Sequence, residues 1–179
     1  FFHNSNLINP QASFNKQGLG RWFIKYEGTK LGFEAGYLYD QIGSGIIYRA
    51  YEQRNLGLDN ALYGLKLKYQ FAPDWVTKAF VGKQKRQLET YDQVVKGIGV
   101  EGYFQPHDSS SWSMAPGLGL INRTLDDAGM SNLLSTLATY QKQDQFVPQY
   151  NAYAITAYDQ INYKNLSVYL ETAFRPHDV

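Results

Sequence analysis

Cysteine is absent from the 179 residues, which excludes a disulfide framework and a thiolate metal centre. Charge is scarce: Asp, Glu, Lys and Arg make up 18% of the chain, below the roughly one quarter of an ordinary soluble domain. Its 17 basic and 16 acidic groups leave a formal charge of +1, so there is no electrostatic footprint for nucleic acid. No apolar run approaches the ~18 residues of a spanning helix, and mean hydropathy is −0.43. Aromatic residues, by contrast, are abundant, with 15 Tyr, 10 Phe and 3 Trp beside 16 Gly. Many rings, much glycine and few charges point to β structure.

The hydrophobic period is two. In 21–27, Trp22, Ile24 and Tyr26 oppose Arg21, Lys25 and Glu27. In 61–71, Tyr63, Leu65, Leu67, Tyr69 and Phe71 oppose Gly64, Lys66, Lys68 and Gln70. The same alternation recurs in 31–40, 75–84, 94–104, 112–123, 151–161 and 166–175, the register of 151–161 being the least marked. Each of these eight segments is near the 9–11 residues that cross a bilayer at a tilt. One face is aliphatic, with Tyr37, Tyr39, Tyr69, Phe71, Trp75, Phe104, Trp112 and Phe174 toward strand ends, as in aromatic girdles. The connections 27–30, 72–74, 105–111 and 162–165 are short, whereas 41–60 and 124–149 are long and 85–93 intermediate. Such a rhythm is the habit of outer-membrane barrels, with short turns periplasmic and long loops extracellular. The expected fold is therefore all-β, an antiparallel transmembrane β-barrel. Its first and last strands open on the long-loop side, which suggests an internal fragment of a larger barrel.

The polar face carries Arg21, Lys25, Glu34, Lys66, Lys68, Lys78, Glu101, Arg123, Glu171 and Arg175, a set of mixed sign expected to line the lumen. In the loop 41–60 and its approach, Asp40, Glu52 and Asp59 lie near Arg49 and Arg54, a pattern suited to ion pairs that fold the loop back on the barrel mouth. The carboxylates lack EF-hand spacing, so no metal and no cofactor are expected. Gly43-Ser44-Gly45 has no following Lys-Ser/Thr and is read as flexible backbone over which Tyr39 or Tyr48 can lie. Residues 126–140 put Met130, Leu133, Leu134, Leu137 and Tyr140 on one helical face, a surface for other envelope proteins within the 124–149 loop. Pro-His-Asp occurs at 106–108 and 176–178 without an activated serine, so no catalytic residues are assigned.

The run from Tyr39 to Gly64, YDQIGSGIIYRAYEQRNLGLDNALYG, resembles a Bacteroidota outer-membrane β-barrel family catalogued as a domain of unknown function, as does the stretch from Val147 to Pro176. The resemblance implies a Gram-negative outer membrane, with the lipid bilayer as partner, and no reaction. The expected role is a pore or a barrel subunit of a larger assembly. Gly20-Arg21-Trp22 also matches the Gly-x-Trp opening of lipocalins, the alternative being a soluble cup around a small apolar ligand with the apolar face turned inward.

Overall fold

The computed structural model describes residues 2–3, 17–18, 21–56, 58–86, 89–107, 110–142 and 146–176. Eight strands form one antiparallel sheet: β1 (Phe23–Glu27), β2 (Leu31–Leu38), β3 (Leu62–Ala72), β4 (Trp75–Arg86), β5 (Glu89–Gly102), β6 (Trp112–Thr124), β7 (Asn151–Tyr163) and β8 (Leu166–Phe174). Each pairs with its neighbour in sequence, so the sheet is a meander running from β1 to β8, not closed on itself. Two-residue pairs join Phe2–His3 to Gln17–Gly18 and Glu52–Gln53 to Leu58–Asp59. An α-helix, α1 (Asp127–Leu137), lies between β6 and β7, and a 3-10 turn spans Arg54–Leu56. No helix among the described residues is long and apolar enough to cross a membrane.

The strands fall where the alternation places them, but β4 and β5 run further than the sequence suggests. Lys85 pairs with Thr90 and Arg86 with Glu89, so the connection expected over 85–93 shrinks to the positions between Arg86 and Glu89. Polar residues at the top of both strands hid this extension, because their alternation carries no apolar mark. Lys164 turns the β7–β8 hairpin with φ of 50°.

Register divides the sheet into two unlike faces. Glu34, Lys66, Phe80, Gly97 and Ile121 follow one another across β2 to β6 on one face, and Glu101, Gly117, Tyr158 and Glu171 continue it across β5 to β8. The opposite face carries Phe33, Leu67, Ala79, Ile98 and Leu120 in the first row, with Leu118 and Leu170 further on. The small buried core lies wholly on the polar face. Residues 39–61, which leave β2 and return to β3, fold over it: Ile42 is fully buried, Leu38 and Leu62 nearly so, and Tyr48 stacks on Phe80 with ring centroids 4.6 Å apart.

Glycine makes that docking possible. A Cβ on Gly119 would lie 2.2 Å from Ile42 Cγ2, so only a bare backbone lets the loop approach this closely. At the loop tip Gly43 has φ of 56°, and a Cβ there would meet Glu171 Oε1 at 2.5 Å. Gly119→Val should lift the loop off the sheet at a cost of about 1–3 kcal/mol. Limited trypsinolysis would then cut at Arg49 faster than in the parent, while far-UV circular dichroism keeps its β signature.

Candidate functional site

The most developed polar constellation is where the 39–61 loop meets the strands. Asp40, just past the end of β2, stands between two lysines that alternation aims at the same face. Its Oδ2 is 3.4 Å from Lys66 Nζ and its Oδ1 3.4 Å from Lys78 Nζ. Lys66 also pairs with Glu34 at 3.0 Å, and Lys78 with Glu101 at 3.1 Å. Lys78 donates to the Gln41 carbonyl at 2.7 Å, so the loop backbone joins the network. From Glu101 it continues through the Tyr158 hydroxyl, which donates at 2.8 Å. These groups are partly withdrawn from water, so their attraction is less screened than in exposed pairs, which are worth little.

Glu171 anchors the loop tip at the far side. Its Oε2 accepts from the Ser44 backbone N–H at 2.9 Å and from Tyr169 at 2.7 Å, and its Oε1 accepts from Thr156 at 2.9 Å. Thr156 is the one buried polar side chain of the described residues, and its single hydroxyl proton is shared between Glu171 Oε1 and the Thr172 carbonyl, which satisfies it.

A second cluster closes the loop base. Asp59 is held by Lys85 and by the Tyr39 hydroxyl at 3.0 Å, and it accepts from the Ala61 N–H at 3.2 Å. Burial alone would raise its carboxyl, but Lys85, the Ala61 N–H and Tyr39 outweigh it and hold Asp59 below the usual carboxylate range. Burial, then the bond to Asp59, pushes Tyr39 up to about 12. Burial also raises Tyr48, with Asp40 adding to it. Arg21 lies 4.6 Å over the Tyr39 ring and pairs with Glu52 at 3.8 Å; Arg49 lies 4.7 Å over Tyr51.

Of the ten residues expected on one face, the eight that lie in strands share it. Arg21 precedes β1 and Arg175 follows β8. Of these, Glu34, Lys66, Lys78, Glu101 and Glu171 are drawn into the loop contacts, while Lys25 pairs with Glu27 at 2.7 Å and Arg123 and Arg175 line a cavity near α1. The loop carboxylates find strand lysines: Asp40 takes Lys66 and Lys78, and Asp59 takes Lys85. The side chain of Arg54 lies outside the described residues. Among the described residues no group of carboxylates and histidines could hold a metal ion. The second Pro-His-Asp triplet continues beyond Pro176, and Asp108 of the first is likewise outside them.

Sequence reasoning missed Gln41, Ile42, Ser44, Thr156 and Tyr158. An apolar run, Ile46-Ile47-Tyr48, inside a polar loop was the available signal that the loop packs. Tyr39, just past the end of β2, donates its hydroxyl to Asp59 and ties the strand end to the loop base. On α1, Asp126 caps the first turn by accepting from the Gly129 N–H at 3.3 Å. Met130 and Leu137 are buried, whereas Leu134 and Tyr140 are each 51% exposed, a narrower packed face than the spacing suggests.

Because Asp59 has a depressed native carboxyl, its support for the loop is complete above the ordinary carboxylate range, about pH 4. It is lost as pH falls through the lowered native value. Asp59→Asn should cost about 1–3 kcal/mol at neutral pH. Thermal melts of parent and variant should converge as pH falls below 4.

No curated protein and no solved structure matches the chain. A family model does, over residues 2–179, so the chain that folds this loop onto its own sheet belongs to the family of unknown function DUF6029.

Proposed function

We propose that these strands are wall segments of a transmembrane β-barrel in a Gram-negative outer membrane, non-enzymatic, whose interior is occupied by its own 39–61 loop. The observation that carries this reading is the bare apolar face. Leu118, Leu166, Leu170 and Phe174 are 60–66% exposed, and Leu65, Leu67, Ile98 and Ile155 lie open beside them. Monomeric soluble proteins rarely leave so broad an apolar surface in water. β3 to β7 have 11–14 residues, enough at a ~45° tilt for a hydrocarbon layer of about 25–30 Å.

Rings gather at both edges of the band. Trp22, Tyr37 and Tyr63 cluster toward the long loops, and Phe71 with Trp75 and Phe104 with Trp112 toward the short turns. This is where amphipathic aromatics are most stable in a bilayer. The carboxylate of Asp159 sits on this face opposite Pro116 and accepts from the Ala115 N–H at 3.0 Å, in a ladder that the proline interrupts. A lipocalin-like cup would turn the apolar face toward its ligand, but the packed loop lies on the other face. The resemblance of the 39–64 stretch supports a Bacteroidota origin.

Of the two roles, the in-folded loop favours a barrel subunit of a larger outer-membrane assembly over an open pore. The 124–149 loop offers envelope partners a surface, with Leu134, Tyr140 and Val147 exposed. Open edges at β1 and β8 are consistent with further strands completing the barrel.

Leu118→Lys on the bare face should oppose bilayer insertion by about 2–4 kcal/mol near the midplane. The parent should enter liposomes and run as a heat-modifiable band, and the variant should enter less. A parent that stays monomeric in buffer without detergent would overturn the reading. In planar bilayers, deletion of residues 41–50 should raise conductance from near zero to a measurable value; high conductance of the parent would favour the pore.

A further inference from the structure

The bare face does not stay apolar along its whole length. Ala79, Ile98, Leu120 and Ile155 form one row across β4 to β7. Two residues further toward the long loops the row reads Val81, Lys96, Asn122 and Tyr153, and the next Lys83, Val94, Thr124 and Asn151. Alternation thus brings two lysines onto the side that carries the exposed leucines. Lys83 lies opposite Val94, so Lys96 is its diagonal neighbour, the backbones about 7–8 Å apart.

The polar side chains beside them form a cluster whose oxygens are already engaged. Lys96 Nζ donates to Thr124 Oγ1 at 3.3 Å. The Thr124 hydroxyl proton is shared between Asn151 Oδ1 at 2.8 Å and Asn122 Oδ1 at 3.1 Å, and Asn122 Nδ2 donates to Asn151 Oδ1 at 3.4 Å. What the cluster still offers is N–H: the remaining protons of Lys96 and the amide of Asn151. No carboxylate of the described residues pairs with Lys96. Lys83 meets Asp92 at 3.3 Å, but the Asp92 side chain is 74% exposed, and a pair so well solvated holds the lysine weakly.

A donor-rich patch suits an anion with several oxygens, and the rows below it suit hydrocarbon. With a bilayer against this face, as the barrel reading requires, one molecule meets both demands. We infer that the outer side of β4–β7 binds a membrane lipid with a phosphate headgroup, in the leaflet on the long-loop side. Lys83 and Lys96 hold the phosphate, Asn151 donates to a further oxygen, and an acyl chain lies along Ile98, Leu120 and Ile155. Tyr63 beside Lys83 and Tyr153 beside Asn122 add rings where headgroup and chain meet. A free anion leaves the apolar rows uncovered, and a lipid without phosphate leaves the donors without acceptors.

Native mass spectrometry of the full chain in nonionic detergent tests this with three probes. They are dioleoyl phosphatidic acid, dioleoylglycerol with the same chains and no phosphate, and glycerol 3-phosphate with no chains. Phosphatidic acid should bind about twentyfold more tightly than dioleoylglycerol, each lysine at a lipid phosphate being worth about fivefold. Lys83→Gln and Lys96→Gln should each weaken it by about fivefold, and together bring it close to dioleoylglycerol. Both variants should keep the parent's melting temperature, which separates lost binding from lost fold. Lys68→Gln, which removes a charge from the opposite face, should leave the affinity unchanged. Equal binding of phosphatidic acid and dioleoylglycerol, or an equal loss in Lys68→Gln, would overturn the site. So would glycerol 3-phosphate binding as tightly as phosphatidic acid, which would make it a free-anion site. A parent that enters liposomes but whose double lysine variant keeps full affinity overturns this site alone and leaves the barrel reading standing.

Discussion

An antiparallel sheet with strict two-residue alternation has to find a different environment for each face. Here the chain supplies one of them itself. Residues 39–61 cover the glycine- and lysine-bearing face and bury Leu38, Ile42 and Leu62 there, while the leucines and aromatic residues of the other face touch only their neighbours on the sheet and stay exposed. Every other property of the molecule follows from that division: where the core lies, which charges are paired, and which surface must be met by something else.

The covering loop is held by electrostatics as much as by packing. Asp40 brings negative charge to the face on which Lys66 and Lys78 stand, with Glu34 and Glu101 completing the balance, and Asp59 takes Lys85 at the loop base. Neither side of this arrangement is comfortable alone. Lysines crowded on adjacent strands repel, and carboxylates carried out of water without partners are costly. Packing and pairing reinforce one another because Gly119 lets Ile42 come close enough for Asp40 and Ser44 to reach their partners.

The strands were legible because alternation is local: residues 62–72 announce both faces within eleven positions. The shared face of the eight polar residues within strands was legible for the same reason. The β4–β5 hairpin was set too long, since Lys83, Lys85 and Thr90 alternate without an apolar partner to mark the period. The partners of the loop were not legible. Asp59 finds Lys85 26 positions away and Ser44 finds Glu171 127 positions away, and nothing near either residue encodes the match. The same holds for Tyr39, whose hydroxyl finds Asp59 20 positions away.

The meander has a kinetic corollary. Each strand joins the one before it, so the sheet can grow hairpin by hairpin with little loop-closure entropy at any step. The bond from the Ser44 backbone to Glu171 is different, because it waits for β8 to arrive. Until then the tip of the loop has no anchor, and the nascent sheet presents both surfaces uncovered. The seat that holds the tip is thus completed last, and a chain arrested before its final hairpin would carry an unfastened segment.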